Sequence, residues 1–252
     1  MQIGPALLIL LMTAGTPGLG AGQQSAVLAA PAPVFEPPRT QPESPPALAA
    51  KFGVSTTTAG MPPVMQGDWY LLRGPERIER VRPDAGVAEI WERDDRGDLS
   101  LKRVYRNDAR VVEYTPGNLR AMHLEAHWES LGAAVDPRRV RAFRPGATAD
   151  TPFGRATVFV GVVAGVATEV WWLDELRIPV RVIEQRQEAR VIIDLKALHT
   201  EPPPDWPHAA SAEQNTFETI DVSDLGDRHY DPFVRKVETA DAVFRAMPFL
   251  DR

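Results

Sequence analysis

Arg155 to Leu198 reads RATVFVGVVAGVATEVWWLDELRIPVRVIEQRQEARVIIDLKAL. It is rich in β-branched and aromatic residues and is punctuated by Gly161, Gly165 and Pro179. Such runs, bounded by turn residues, predict four consecutive antiparallel strands over 155–162, 168–173, 179–185 and 190–195. Val180, Val182 and Glu184 alternate with Arg181, Ile183 and Gln185, and Val191, Ile193 and Leu195 alternate with Ile192 and Asp194. Period-two alternation sends one set to a packed face and the other to the opposite side. Arg186–Gln187–Glu188 supplies a polar hairpin break, and Gly161–Val–Val–Ala–Gly165 a hairpin or bulge without a phosphate-loop lysine. Trp171 and Trp172 are adjacent, so they point to opposite faces, and both faces of this sheet are expected to be covered.

Upstream, residues 69–72, 77–81, 87–93, 99–105 and 110–114 read as five further short strands. Gly74–Pro75, Pro83–Asp84–Ala85–Gly86, 94–98 and Asn107–Asp108 separate them. The charged residues of this meander, Glu79, Arg80, Arg82, Glu89, Glu92, Lys102 and Arg103, are assigned to exposed positions. Between the two runs lies a helical interlude. Asn118 is placed as a helix cap, with Leu119, Met122, Ala126 and Leu131 at helical spacing. Asp136–Pro137 marks a second start. After Leu198 comes a proline-rich connection and an edge-strand candidate through Phe217, Ile220 and Val222. A terminal helix over 232–247, started by Asp231–Pro232, carries Phe233, Val237, Ala240, Val243 and Phe244 on one face.

The N-terminus is organised differently. Residues 1–22 carry the apolar run Ala6–Met12 followed by small residues, the pattern of a cleaved export signal. Residues 23–66, crowded with Pro31, Pro33, Pro37, Pro38, Pro42, Pro45 and Pro46, read as a disordered linker, with a helical turn near Ala47–Phe52. Residues 67–198 form the β domain and 199–252 a C-terminal extension. The net charge of −6 argues against a nucleic-acid partner. With no cysteine in 252 residues there is no disulfide, thiolate metal site, cysteine nucleophile or lipid-anchoring cysteine.

Motifs for chemistry are weak. His123 and His127 share one face if 118–131 is a single helix, but Glu125 falls between them, unlike either zinc-protease order. A metal would need further ligands, such as His229 or Asp231. Ser223–Asp231 lacks the ligand order of a calcium loop and reads as a capped turn. Glu169, Asp174 and Glu175 read as solvated carboxylates, and Arg138, Arg139, Arg141 and Arg144 as a solvated basic run. No cofactor and no catalytic residue is expected.

Glu169–Val–Trp–Trp–Leu–Asp174, Arg177–Ile–Pro–Val–Arg181 and Arg190–Val–Ile–Ile–Asp–Leu195 resemble the strand–turn–strand pattern of the LolA/LolB-type fold. That group includes periplasmic lipoprotein carriers and the lipid-sensing domain of RseB-type regulators. The resemblance spans Gly67 to Leu198. It implies a periplasmic or secreted protein, with no transmembrane segment after signal cleavage, that holds an apolar ligand without chemistry. The expected architecture is mainly β (α+β), a strongly curved antiparallel half-barrel with helices covering its concave face. The expected ligand is the acyl chain of a lipid or lipoprotein, with Trp91, Met122, Phe159, Trp171 and Trp172 lining the cavity. The alternative is an interaction module whose terminal helix docks on an envelope protein, and a weaker one is a metal-dependent hydrolase.

Overall fold

A computed structural model describes residues 45–209, 216–228 and 230–246, the side chains of 243–246 excepted. They belong to one compact unit, Glu43–Arg252. The expected signal segment, residues 23–44 of the linker, His229 and Met247 lie outside the described residues. Six strands come first: β1 (Leu48–Thr58), β2 (Val64–Arg73), β3 (Arg77–Arg82), β4 (Val87–Arg93), β5 (Leu99–Tyr105) and β6 (Arg110–Tyr114). The interlude holds α1 (Pro116–Ala121), α2 (Trp128–Leu131) and α3 (Pro137–Ala142). Five more strands follow: β7 (Arg144–Thr151), β8 (Gly154–Val163), β9 (Val166–Leu173), β10 (Ile178–Gln185) and β11 (Ala189–His199). The chain then adds β12 (Glu218–Asp221) and α4 (Pro232–Ala246).

All twelve strands form one curved sheet in the order β12-β6-β5-β4-β3-β2-β1-β11-β10-β9-β8-β7. Every neighbouring pair is antiparallel except the edge pair β12–β6, which is parallel. Both hairpin readings in the quoted stretch are met. Val163 pairs with Val166 across Ala164–Gly165, and Arg186 N–H donates to Ala189 O at 2.8 Å. Ala164 (φ 49°) and Gly165 (φ 81°) are both left-handed, the geometry whose twist suits a two-residue hairpin.

β1 corrects the linker reading. Residues 48–58 are not a tether, and Ala47–Phe52 is not a helical turn. β1 is the central strand, paired with β2 on one side and β11 on the other, and it joins the two runs of strands into one sheet. Its alanines and threonines carry little hydrophobicity of their own. Flanked by strands on both edges, Ala49, Ala50 and Phe52 are nevertheless fully buried. Phe52 stacks on Trp69 of β2, ring centroids 4.6 Å apart, a contact worth about 0.5–1.5 kcal/mol beyond burial. β7 is a second unexpected strand, exposed at the sheet edge, where Pro145 is tolerated because the edge requires no ladder donor from it.

The interlude is three short helices, not one long helix and a second. Thr115 caps α1, its hydroxyl accepting from Asn118 N–H at 3.2 Å while Asn118 Oδ1 accepts from Thr115 N–H at 2.8 Å. Asn118 is therefore the third helical residue of a capping box and not the cap itself. His123, at φ 56°, ends α1 in a left-handed turn. His123 N–H donates to Arg120 O and Leu124 N–H to Leu119 O, and the buried Leu119 and Leu124 side chains close this Schellman arrangement. Asp136 caps α3 through Arg138 N–H, and Asp231 caps α4 through Phe233 N–H, as the Asp–Pro pairs predict.

The helices gather over the inner face of the sheet. Leu119, Leu124, Leu131, Phe233, Val234 and Val237 share one cluster with Phe52, Trp69, Leu71, Ile78, Trp91, Leu101 and Tyr114. α3 contributes Val140 to a second cluster with Val170, Trp172 and Val182. The reverse face of the first half carries Val81, Ala88, Ile90, Val104 and Val111, covered by Ala209 and Phe217.

Candidate functional site

Strand alternation puts Val87, Glu89 and Trp91 of β4 on one face, and Leu99, Leu101, Arg103 and Tyr105 of β5 on the same face. Two charged residues thereby fall in apolar rows. Glu89 (8% exposed) and Arg103 (1%) are buried, and so is Glu79 (8%) on the reverse face, which corrects the expectation that these charges are solvated. Glu79 is satisfied there by Ala209 N–H at 2.7 Å and by Arg77.

The inner-face charges form one network. Arg103 Nε donates to Glu89 Oε1 at 3.2 Å, and Arg103 Nη1 to Tyr114 Oη at 3.2 Å and to Asp241 of α4. Tyr114 Oη in turn donates to Asp241 Oδ1 at 3.1 Å. Trp91 Nε1 reaches Glu89 Oε2 at 3.4 Å, and Arg80 Nη1 stands 3.8 Å from the same oxygen. Arg103 Nη2 lies 3.2 Å from Glu89 Oε1 but makes no hydrogen bond among the described residues. Burial opposes charge on Glu89 and Arg103, and their mutual attraction overrides it. Burial would raise the Glu89 carboxyl, but the Arg103, Arg80 and Arg82 guanidiniums hold it below its ordinary value. Burial would lower Arg103, but Glu89 above all the other neighbours raises it, so it stays cationic. Burial pushes the Tyr105 phenol up to about 12 against the opposing charge of Arg103.

α4 is what closes this site. Its described buried side chains are Phe233, Val234, Val237 and Asp241. The apolar anchors occupy its first two turns, and Phe233 meets Tyr105 edge-on at 4.9 Å. Asp241 anchors the following turn by charge. Beside α4 runs a solvent-open groove of about 440 Å³, lined by Ala85, Gly86, Val87, Tyr105, Asn107 and the α4 residues Arg235, Lys236, Thr239 and Ala240, among others. Lys236 Nζ pairs with Asp108 Oδ1 at 2.5 Å over its rim. Tyr105 belongs both to the groove wall and to the surroundings of Arg103.

The five residues expected to line a cavity fall into two groups. Trp91 is fully buried in the main cluster, against which Met122 and Trp171 pack. Trp172 is in the second cluster, with Phe159 packed against it. The adjacent tryptophans do separate, Trp171 donating from Nε1 to Glu169 at 2.6 Å under the Arg181 guanidinium. None of the five lines the groove beside α4.

The histidine pair dissolves. His123 is the left-handed residue after α1 and His127 the residue before α2, so no helix face carries both. Among the described residues no cluster of three or more histidine, aspartate or glutamate side chains is placed to hold a metal. The basic run is largely paired locally: Arg138 with Asp136 at 2.8 Å and Arg141 with Glu129 at 3.4 Å. No described helix is long and apolar enough to cross a membrane.

No protein-family model matches the chain. No curated protein matches it either. Solved structures similar to it include PNGF-II (10% identity, TM-score 0.38), of whose length the chain covers only 32% while 72% of this chain is matched. They also include the LolA superfamily protein NE2245 from Nitrosomonas europaea (8%, TM-score 0.31, 65% of this chain and 90% of that one). A third is MucB (12%, TM-score 0.35, 67% and 58%). The solved structures similar to the chain thus include one from the LolA superfamily, the group whose strand pattern the sequence resembles, at TM-score 0.31.

Proposed function

We propose that the protein is a non-catalytic binder of an apolar ligand, an acyl chain of a lipid or lipoprotein, working in the cell envelope after export. The observation that carries this reading is the solvent-open groove of about 440 Å³ beside α4, bounded by Val87, Tyr105 and Ala240. Its volume is within the range of small-molecule sites, roughly 300–1,000 Å³. Each methylene buried there stabilises the complex by about 0.8 kcal/mol. Trp91, Met122 and Trp171, in or against the cluster that α4 covers, are the side chains a chain reaching further inward would meet. Phe159 and Trp172 under α3 serve as the second wall. Enzymatic chemistry plays no part in this reading, which needs only burial and release.

Native mass spectrometry of the protein purified from the compartment of its producing cell tests it. An added mass matching a lipid, lost on mild activation, supports the reading. A bare mass, together with no uptake of a fluorescent fatty acid by delipidated protein, overturns it.

A further inference from the structure

Among the described residues the large hydrophobic side chains left exposed are Met61, Val64, Met65, Val160, Val162 and Tyr230. All but Tyr230 lie at or beside one end of the sheet. Thr58 pairs with Ala189, Gln185 with Ala167 and Val163 with Val166, so the β1–β2, β10–β11 and β8–β9 hairpins turn at the same end. From β2 across to β8 these tips form a row roughly 24 Å wide, at about 4.8 Å per strand. β3 pairs with β2 over Tyr70–Arg73, so Val64 and Met65 extend beyond that neighbour. These two are consecutive strand residues and point to opposite faces, yet one is 55% and the other 59% exposed. A protein docked on one face of the hairpin would cover one of them. A fluid apolar layer that takes the tip end-on covers both. The backbone suits such a layer, in which an unpaired amide is costly. Pro62 and Pro63 have no N–H, Met61 N–H donates to Thr58 O at 2.9 Å, and Ala59 N–H donates to Glu188 O at 3.2 Å. The β10–β11 hairpin between the apolar tips carries Glu184, Arg186, Glu188 and Arg190, whose charges cancel, so it offers no net charge to recruit an ionic partner.

We propose that this end of the sheet is a membrane-contact site. The β1–β2 tip enters the headgroup–acyl boundary of a lipid bilayer end-on, with Met61, Val64 and Met65 leading and Val162 of the β8–β9 hairpin beside them. The attraction is burial of these side chains and scales with the apolar area removed from water. The cancelled charges of the β10–β11 hairpin make the contact nearly insensitive to salt. It does not depend on what the groove beside α4 holds. It also orients the protein, because the β9–β10 turn at the opposite end of the sheet faces away from the bilayer.

The chain has no cysteine, so Val64→Cys and, in the β9–β10 turn, Glu175→Cys each supply one site for an environment-sensitive nitrobenzoxadiazole label. Each labelled protein is titrated with vesicles of palmitoyl-oleoyl phosphatidylcholine. The label at 64 is expected to shift to the blue and brighten, and the label at 175 to stay as it is in water. Adding Met61→Asp and Met65→Asp to the 64-labelled chain should raise the lipid needed for half the shift roughly tenfold or more. All these positions are exposed, so the variants fold, which circular dichroism checks. No shift at 64 overturns the contact, as does an equal shift at both positions, which would be adsorption without orientation. A shift that the aspartates leave unchanged, or that added salt reverses, overturns the apolar tip as its cause. None of these outcomes bears on the bound-lipid mass that tests the apolar-ligand reading, so the two proposals fail separately.

Discussion

Gly132 lies against Arg73 so closely that a Cβ at this position would stand 2.7 Å from Arg73 Cδ, while the Gly132 carbonyl accepts Arg73 Nη1 at 2.7 Å. The same guanidinium donates to Pro46 O and Leu176 O, so one buried arginine ties the lead-in to β1, the interlude and the β9–β10 hairpin. Burial first, and the nearby Arg177 charge second, lower it to about 10. Gly132 has an ordinary helical φ of −83°, so the constraint is space and not backbone conformation. Gly132→Ala is expected to cost about 1–3 kcal/mol by overpacking, read from urea denaturation with an unchanged slope. A neutral result would show that the Arg73 clamp is slack.

Phe52 is fully buried in the strand that joins the halves of the sheet, stacked on Trp69. Phe52→Ala is expected to lose about 3–5 kcal/mol. The loss should appear as one cooperative transition. Two separate transitions would mean that the halves fold independently.

Ala164 is exposed and left-handed in the β8–β9 hairpin, a conformation that costs an L-residue with a Cβ on the order of 1 kcal/mol and that asparagine adopts more readily. Ala164→Asn should therefore raise the thermal midpoint. A lowered midpoint would contradict the two-residue turn.

Two buried carboxyls contribute to the pH dependence of stability. Burial would raise Asp136, but the side-chain and backbone hydrogen bonds from Arg138 hold it low, and Glu89 is held low against burial by its three arginines. A group depressed in the folded state stabilises above its unfolded value and loses that contribution as pH falls through the folded one. Unfolding free energy should be nearly flat from about pH 7 to 5 and fall steadily below about 4, the unfolded carboxylate range. Asp136→Asn should flatten part of that fall, and an unchanged acid slope would remove Asp136 from the account.

Much of the sheet is readable from the sequence because alternation and turn residues are local signals. All nine strands read there are found, and the two Asp–Pro helix starts cap as expected. β1 escaped because it follows a proline-rich stretch and its buried residues Ala49 and Ala50 carry little hydrophobicity of their own, while its pairing with β2 and β11 is set by the rest of the sheet, which no local pattern records. The single helix over the histidines failed because Leu124 is pulled into the core, and His123 must turn left-handed to let it. Gly161 looked like a hairpin glycine, yet its lack of a side chain makes room for the Phe143 ring, 2.2 Å from where a Cβ would be. The ion network was missed through charge itself. Glu89 and Arg103 occupy the parity of Trp91 and Leu101, and that position, read before the charge, is the signal that points to them. Asp241, 138 residues from Arg103, has no sequence signal linking it to the strand.

The central place of β1 also bears on the order in which the protein can assemble. β1 and β2 are neighbours in sequence and can pair as soon as both exist, but Ala49 meets His199, a separation on the order of 150 residues. Until β11 arrives, the first six strands present the free edge of β1, whose row of unpaired amides can recruit any extended segment. Closing that long loop is slow relative to hairpin formation, because contacts distant in sequence reward the chain only after its entropy has been reduced. The folding rate should therefore be governed by the β1–β11 seam, and the half-assembled sheet is the species most exposed to aggregation.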